Sequence, residues 1–129
     1  MNQKVQEYVG QVQVLVQELM ALPVKLYVMH GGHSPERPRK PLPSYIFIYI
    51  PAKNVSYASL IDDRPFGYSA IVMIKDNNDQ VEIRIDSRGL TITPLKSGKH
   101  RHVRVPLPMK VDELTYDNGE FKVVFEIQQ

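Results

Sequence analysis

The sequence predicts an all-β fold, an antiparallel β-sandwich that carries an amphipathic helix at its N-terminus. Three observations predict it. Apolar residues alternate with polar ones in several short runs, the period of strands with one covered face. Turn residues separate these runs at short intervals, and no interval holds a helix that would cross between parallel strands. Only the opening stretch follows a helical period.

In that stretch Val5, Val9, Val12, Val16 and Leu19 recur at alternating spacings of four and three, which places them on one helix face with Gln and Glu on the other. A helix of about twenty residues is expected. Gly10 and the valines are poorer helix formers than Ala or Leu, and Pro23 denies the preceding residues their α geometry. The stripe has three uses: packing on its own sheet, an oligomerisation seam, or a membrane-surface or substrate-binding face. Lys4 is the only basic residue before Lys25, which disfavours the membrane surface.

Residues 1–24 are thus assigned to the helix, 25–43 to a Pro/Gly-rich linker and 44–129 to the β-domain. A short apolar piece, Val24 to Met29, crosses from the first segment into the linker. The linker continues as HGGHSPERPRKPLP, whose prolines and paired glycines forbid a helix and disfavour a central strand. Tyr45 to Ile50 has β-branched and aromatic residues at every position, the pattern of a strand buried on both sides or paired at a domain interface. Residues 52–68 read as mixed, with a turn at Asp62 to Gly67. Ala70 to Lys75 and Val81 to Ile85 then form a hairpin about Asp76-Asn77-Asn78-Asp79, and Leu90 and Ile92 begin a further strand.

The closing stretch, His100 to Gln129, organises the rest. Val103, Val105 and Leu107 alternate with His102, Arg104 and Pro106; Phe121, Val123 and Phe125 alternate with Lys122, Val124 and Glu126. Asp117-Asn118-Gly119 between such runs is a strong hairpin signal, because Asn and Gly tolerate the positive φ of a type I′ turn.

Arg104, Leu107-Pro108, Val111-Asp112 and Tyr116 with Asn118-Gly119 and an apolar Phe121 resemble the closing half of the alpha-crystallin domain of small heat-shock proteins. The family pattern there is a basic residue, a Leu-Pro, a Val-Asp and a Tyr-x-Asn-Gly-Val-Leu hairpin, so Glu120 and Phe121 depart from it. The resemblance extends in order over about residues 66–127. It implies an immunoglobulin-like sandwich and ATP-independent, chaperone-like binding of unfolded or partner proteins, with homo-oligomers a further possibility of the family. Apart from the resemblance, apolar grooves at sheet edges and an amphipathic N-terminal segment suit the binding of extended chains by strand addition and apolar burial, which makes Val5, Val9, Val12, Val16, Leu19, Val105 and Leu107 the expected client contacts and gives Arg104 an ion pair across the sheet or at a dimer interface. Three departures weaken the assembly part. The loop from Pro94 to Arg101 is too short for the strand-bearing excursion of microbial and plant members. Ile85 to Leu90 lacks an Asp-Leu-Pro-Gly turn, and an Ile-x-Ile tail after the last strand is missing. These losses also admit the wider superfamily of CS-domain-like adaptors that bind one specific partner.

Composition narrows the function classes. The 129 residues suffice for one core without staples. Cysteine is absent, which excludes disulfides, thiolate ligands and cysteine nucleophiles and suits a reducing cytoplasm. The apolar runs are too short to span a bilayer. A formal charge of +2 does not by itself imply nucleic acid. The basic run Lys96, Lys99, Arg101, Arg104 and Lys110, with Arg37, Arg39 and Lys40, offers phosphate contacts but no aromatic stacking platform, so nucleic acid is a lesser expectation. His30, His33, His100 and His102 form two pairs with chelating spacing, yet loop positions favour solvated imidazoles over a metal site. Asp62, Asp63, Asp86 and Glu113 pair with no local His or Ser motif, and no phosphate loop or nucleophile elbow is present. No enzyme activity, no metal and no other cofactor is therefore expected.

Overall fold

The computed structural model describes residues 3–31, 44–96 and 101–128, with helix side chains from Gln6 onward. One helix, α1 (Gln3–Met20), precedes nine strands: β1 (Lys25–Met29), β2 (Ser44–Pro51), β3 (Val55–Asp62), β4 (Tyr68–Asp76), β5 (Asp79–Asp86), β6 (Gly89–Pro94), β7 (Val103–Val105), β8 (Met109–Asp117) and β9 (Glu120–Ile127). Their pairings are antiparallel, in the order β1-β2-β9-β8-β4-β5-β6-β7, with β3 on the remaining side of β4. The group β1-β2-β9-β8 joins the group β3-β4-β5-β6-β7 only at Tyr68 opposite Val111. The sheet curls at that joint, and the inner faces of both groups supply one core.

β4 and β5 alternate as hairpin strands should, whereas β2, expected to be buried on both sides, buries one face only and leaves Tyr45, Phe47 and Tyr49 half-buried on the other. Ile46, Ile48 and Ile50 of β2 point inward, as do Ala70, Val72 and Ile74 of β4 and Val81, Ile83 and Ile85 of β5. Both central residues of the last hairpin have positive φ, 52° at Asn118 and 76° at Gly119, as a type I′ turn requires. Gly89 is equally constrained: its φ is 135°, and a Cβ there would sit 2.1 Å from the Val105 carbonyl oxygen. No side chain fits between β6 and β7 at that point.

Two segments differ from the sequence reading. Lys25–Met29, placed in the linker, is a strand paired with β2 along its whole length, Lys25 opposite Tyr49 through Met29 opposite Tyr45. Residues 32–43 of the same linker lie outside the described residues. Val55–Asp62 is also a strand, although its serines blur the apolar alternation; its pairing to β4, rather than its own pattern, fixes it.

The helix docks on the molecule's own core, with its buried face rotated from the expected stripe. Val12, Leu15, Leu19 and Leu22 are buried and Tyr8 and Val16 pack partly against them, whereas Val9 is 44% exposed. Two rows with the same spacing overlap along α1 and the turn that follows it: Val5-Val9-Val12-Val16-Leu19 and Tyr8-Val12-Leu15-Leu19-Leu22. The second carries the larger side chains and so buries more apolar area, which decides between them. Val5 belongs to the helix, but its side chain lies outside the described residues. After Met20 the chain tightens through bonds from the Ala21 and Leu22 N–H groups to the Glu18 and Leu19 carbonyls, and Pro23 prevents continuation. α1 then packs against both β1 and β7, the two ends of the strand order.

No helix among the described residues is long and apolar enough to cross a membrane.

Leu15→Ala and Leu19→Ala are each expected to lower unfolding free energy by about 3 kcal/mol, and Val9→Ala by less than about 0.5 kcal/mol, in urea titrations. Gly89→Ala is expected to cost roughly 2 kcal/mol or more in the same assay, since it adds both a clash and an unfavourable φ.

Candidate functional site

The residues proposed for client contact separate into two sets. Val12, Leu19, Val105 and Leu107 are core residues, and Val105 is 2% exposed. Leu19 and Val105 offer no surface at all to a partner of the folded chain. Val9 and Leu107 line a cleft of about 430 Å³ with Tyr8, His30, Ser44 and Gln128. An adjoining cleft of about 510 Å³ is lined by Tyr8, Val9, Val12, Val16 and Val28 among others. The Tyr8 hydroxyl is shielded from solvent there and has no hydrogen-bond partner among the described residues. Gly31 and Ser44, both in the first wall, border residues outside the description.

Arg104 stands on the outer face of β7 opposite Thr91 and makes no ion pair with an acidic group among the described residues. Its neighbour Arg101 does pair, holding Glu18 of α1 at 2.7 Å through one guanidinium nitrogen and donating from Nε at 2.8 Å. That contact ties the helix to the strand it covers. His33 and His100 lie outside the described residues; His102 Nδ1 is 3.4 Å from the Thr93 hydroxyl, and His30 lines the clefts. Among the described residues no three His, Asp or Glu side chains converge as a metal site. The carboxylates singled out in the sequence have structural partners: Asp62 binds Arg64 at 2.7 Å, Asp63 accepts from Ser69, Asp86 accepts the Arg88 N–H and Glu113 pairs with Lys122.

The sequence reading expected binding at sheet edges without naming one, and it read no strand at Val55–Asp62; the structure singles out the free edge of that strand, β3. An unpaired edge exposes a row of backbone donors and acceptors, which proteins usually cover, shorten or charge. β1 is overlain by α1 and carries Lys25, which pairs with Glu120 at 3.6 Å. β7 is three residues long, carries Arg104 and is also covered by α1. β3 has eight residues with no Lys or Pro, and its edge opposite β4 has no strand partner among the described residues. A register shift between Val55 and Tyr57 and a terminal Asp62 are its only disruptions. Exposed apolar side chains flank the edge on both faces: Tyr57, 55% exposed, and Ile61 on one, Leu60 and Tyr68 on the other, with Phe66 in the turn. The Arg64–Asp62 contact and the Asp63 N–H bond to the Gly67 carbonyl hold that turn in shape.

A second apolar surface lies on the outer side of β1 and β2, where Tyr27 meets Tyr49 edge to face at 5.8 Å and Phe47 stands between Tyr27 and Val124. Tyr45 is opposite Glu126 in this face. The Glu126 carboxylate, then burial, then Asp112 push the Tyr45 phenol above its ordinary value.

No family model, no curated protein and no solved structure matches the chain.

Because the phenol is raised in the folded state, the neutral form is favoured by folding. Its contribution is fully present below the ordinary tyrosine value of about 10 and is lost as pH rises through the folded value. Glu126→Gln should move the Tyr45 ring titration, followed by NMR, back toward the ordinary value.

Proposed function

We propose that the chain is an ATP-independent protein-binding module that takes extended segments of client proteins by strand addition at β3, a chaperone-like activity. The single observation that carries this reading is the eight-residue β3 edge, without a strand partner among the described residues and flanked by exposed apolar side chains, while β1 and β7 at the ends of the strand order pack against α1. An added strand gains backbone hydrogen bonds irrespective of sequence, and Tyr57, Leu60 and Ile61 add apolar burial, so the mode suits varied clients. No nucleotide is needed for such binding.

The resemblance to the alpha-crystallin domain supports the same reading. Arg104 falls on β7, Leu107-Pro108 on the connection, Val111-Asp112 on β8 and Asn118-Gly119 at the β8–β9 turn. We take the two strand groups as the layers of an immunoglobulin-like sandwich, hinged where β4 meets β8. The client surface is moved from the helix stripe to the β3–β4 ribbon, because Val12, Leu19, Val105 and Leu107 serve the core.

The test is light scattering of two unrelated heat-aggregating proteins in the presence of the chain or of its Tyr57→Lys/Ile61→Lys variant. The wild type is expected to suppress both, and the variant to require several-fold more protein at an unchanged unfolding midpoint, since charge on an edge opposes strand addition. Failure of the wild type on both clients would remove the chaperone reading; capture of one stoichiometric partner through β3 would instead identify a specific adaptor.

A further inference from the structure

The outer face of β5, β6 and β7 carries a different chemistry from the β3 edge. Cross-strand register sets Arg84 opposite Thr91 and Thr91 opposite Arg104, so a hydroxyl stands between two guanidinium groups in one row. Arg88 joins them from the β5–β6 turn, and these four residues with Asp86 and Gly89 line a polar cleft of about 180 Å³. Gly89 accounts for the closeness of the turn to β7, because its missing side chain lets it lie against the Val105 carbonyl.

The charges in this cleft are only partly answered. The nearest carboxylate to Arg84 is Glu82, at 3.7 Å, a long contact on a surface strand. Asp86 spends one oxygen on the Arg88 backbone N–H at 2.9 Å, which shapes the turn. The Arg88 and Arg104 guanidiniums and the Thr91 hydroxyl have no ion pair or side-chain hydrogen bond among the described residues. Like charges gathered on one face repel, and an anion between them relieves that repulsion.

We infer that this cleft is an oxyanion site fitted to a phosphate group. Three guanidiniums outnumber the two oxygens of a carboxylate, whereas the three terminal oxygens of a phosphate group can each meet one of them, with the Thr91 hydroxyl beside them. Arginine forks match phosphate geometry in pairs of hydrogen bonds. Asp86 beside them disfavours a continuous polyanion and leaves room for a single group. The inference stands independently of strand addition at β3.

The test is titration of the full chain with inorganic phosphate, followed by NMR at the Arg88, Gly89 and Thr91 amides, against sodium chloride at matched ionic strength. Saturable shifts at these amides with phosphate and not chloride are expected. Arg104→Gln should weaken binding about tenfold, and Arg64→Gln, which removes an arginine of the β3–β4 turn, should leave it unchanged. A peptide bearing one phosphoserine, run in parallel, distinguishes the source: tighter binding than inorganic phosphate marks a phosphorylated polypeptide, and equal binding marks the free anion. Shifts that chloride reproduces, or that survive in a folded Arg84→Gln/Arg104→Gln variant, would overturn the inference.

Discussion

The structure depends on how the two ends of a curled sheet are covered. β1 and β7 end the strand order and do not pair with each other, so closure falls to α1, which packs against both. The apolar row Tyr8, Val12, Leu15, Leu19 and Leu22 enters the core from the open side, and Leu15 and Leu19 are fully buried. A helix is suited to that position because its backbone hydrogen bonds are internal and it needs no edge partner. The Arg101–Glu18 contact adds orientation more than stability, since a pair with one exposed member gains little net energy.

That closure decides which surfaces remain for function. With α1 docked, its apolar stripe belongs to folding, and the side chains expected to contact clients become mostly core or cleft wall. β3 and β4 are not among the strands that α1 chiefly packs against, and β3 keeps an edge without a strand partner among the described residues. β3 therefore stands out not because it is unusually apolar but because β1 and β7, at the two ends of the strand order, are covered, short or charged. The phosphate-fitted cleft on β5 to β7 occupies the outer face of the same strand group, so the group offers an apolar edge and a basic patch.

Much of the fold was legible because the signals were local. Isoleucines at every second position of β2 and β5 announce strands, and Asn118-Gly119 announces its turn, since both need only neighbouring residues. β1 and β3 were not legible as strands: Lys25–Met29 is short and borders a proline-rich stretch, and the serines of Val55–Asp62 break the alternation. The helix was legible as a helix but not in its orientation, because two rows share Val12 and Leu19 and only the shape of the core chooses between them. The same non-locality hid the candidate sites. A free edge is a property of strand order, and the row Arg84, Thr91, Arg104 exists only once β5, β6 and β7 are in register. No short motif encodes either.

The central claim is that α1 is an integral part of the core rather than an appended arm. Native-state hydrogen exchange of the Leu15 to Met20 amides tests it most directly, compared with the amides of β2 and β9. The account predicts that both sets exchange through the same global opening, with equal free energies and equal dependence on denaturant. Exchange of the helix amides through a separate, low-energy opening while β2 and β9 stay protected would contradict it and return the apolar stripe to the list of binding surfaces.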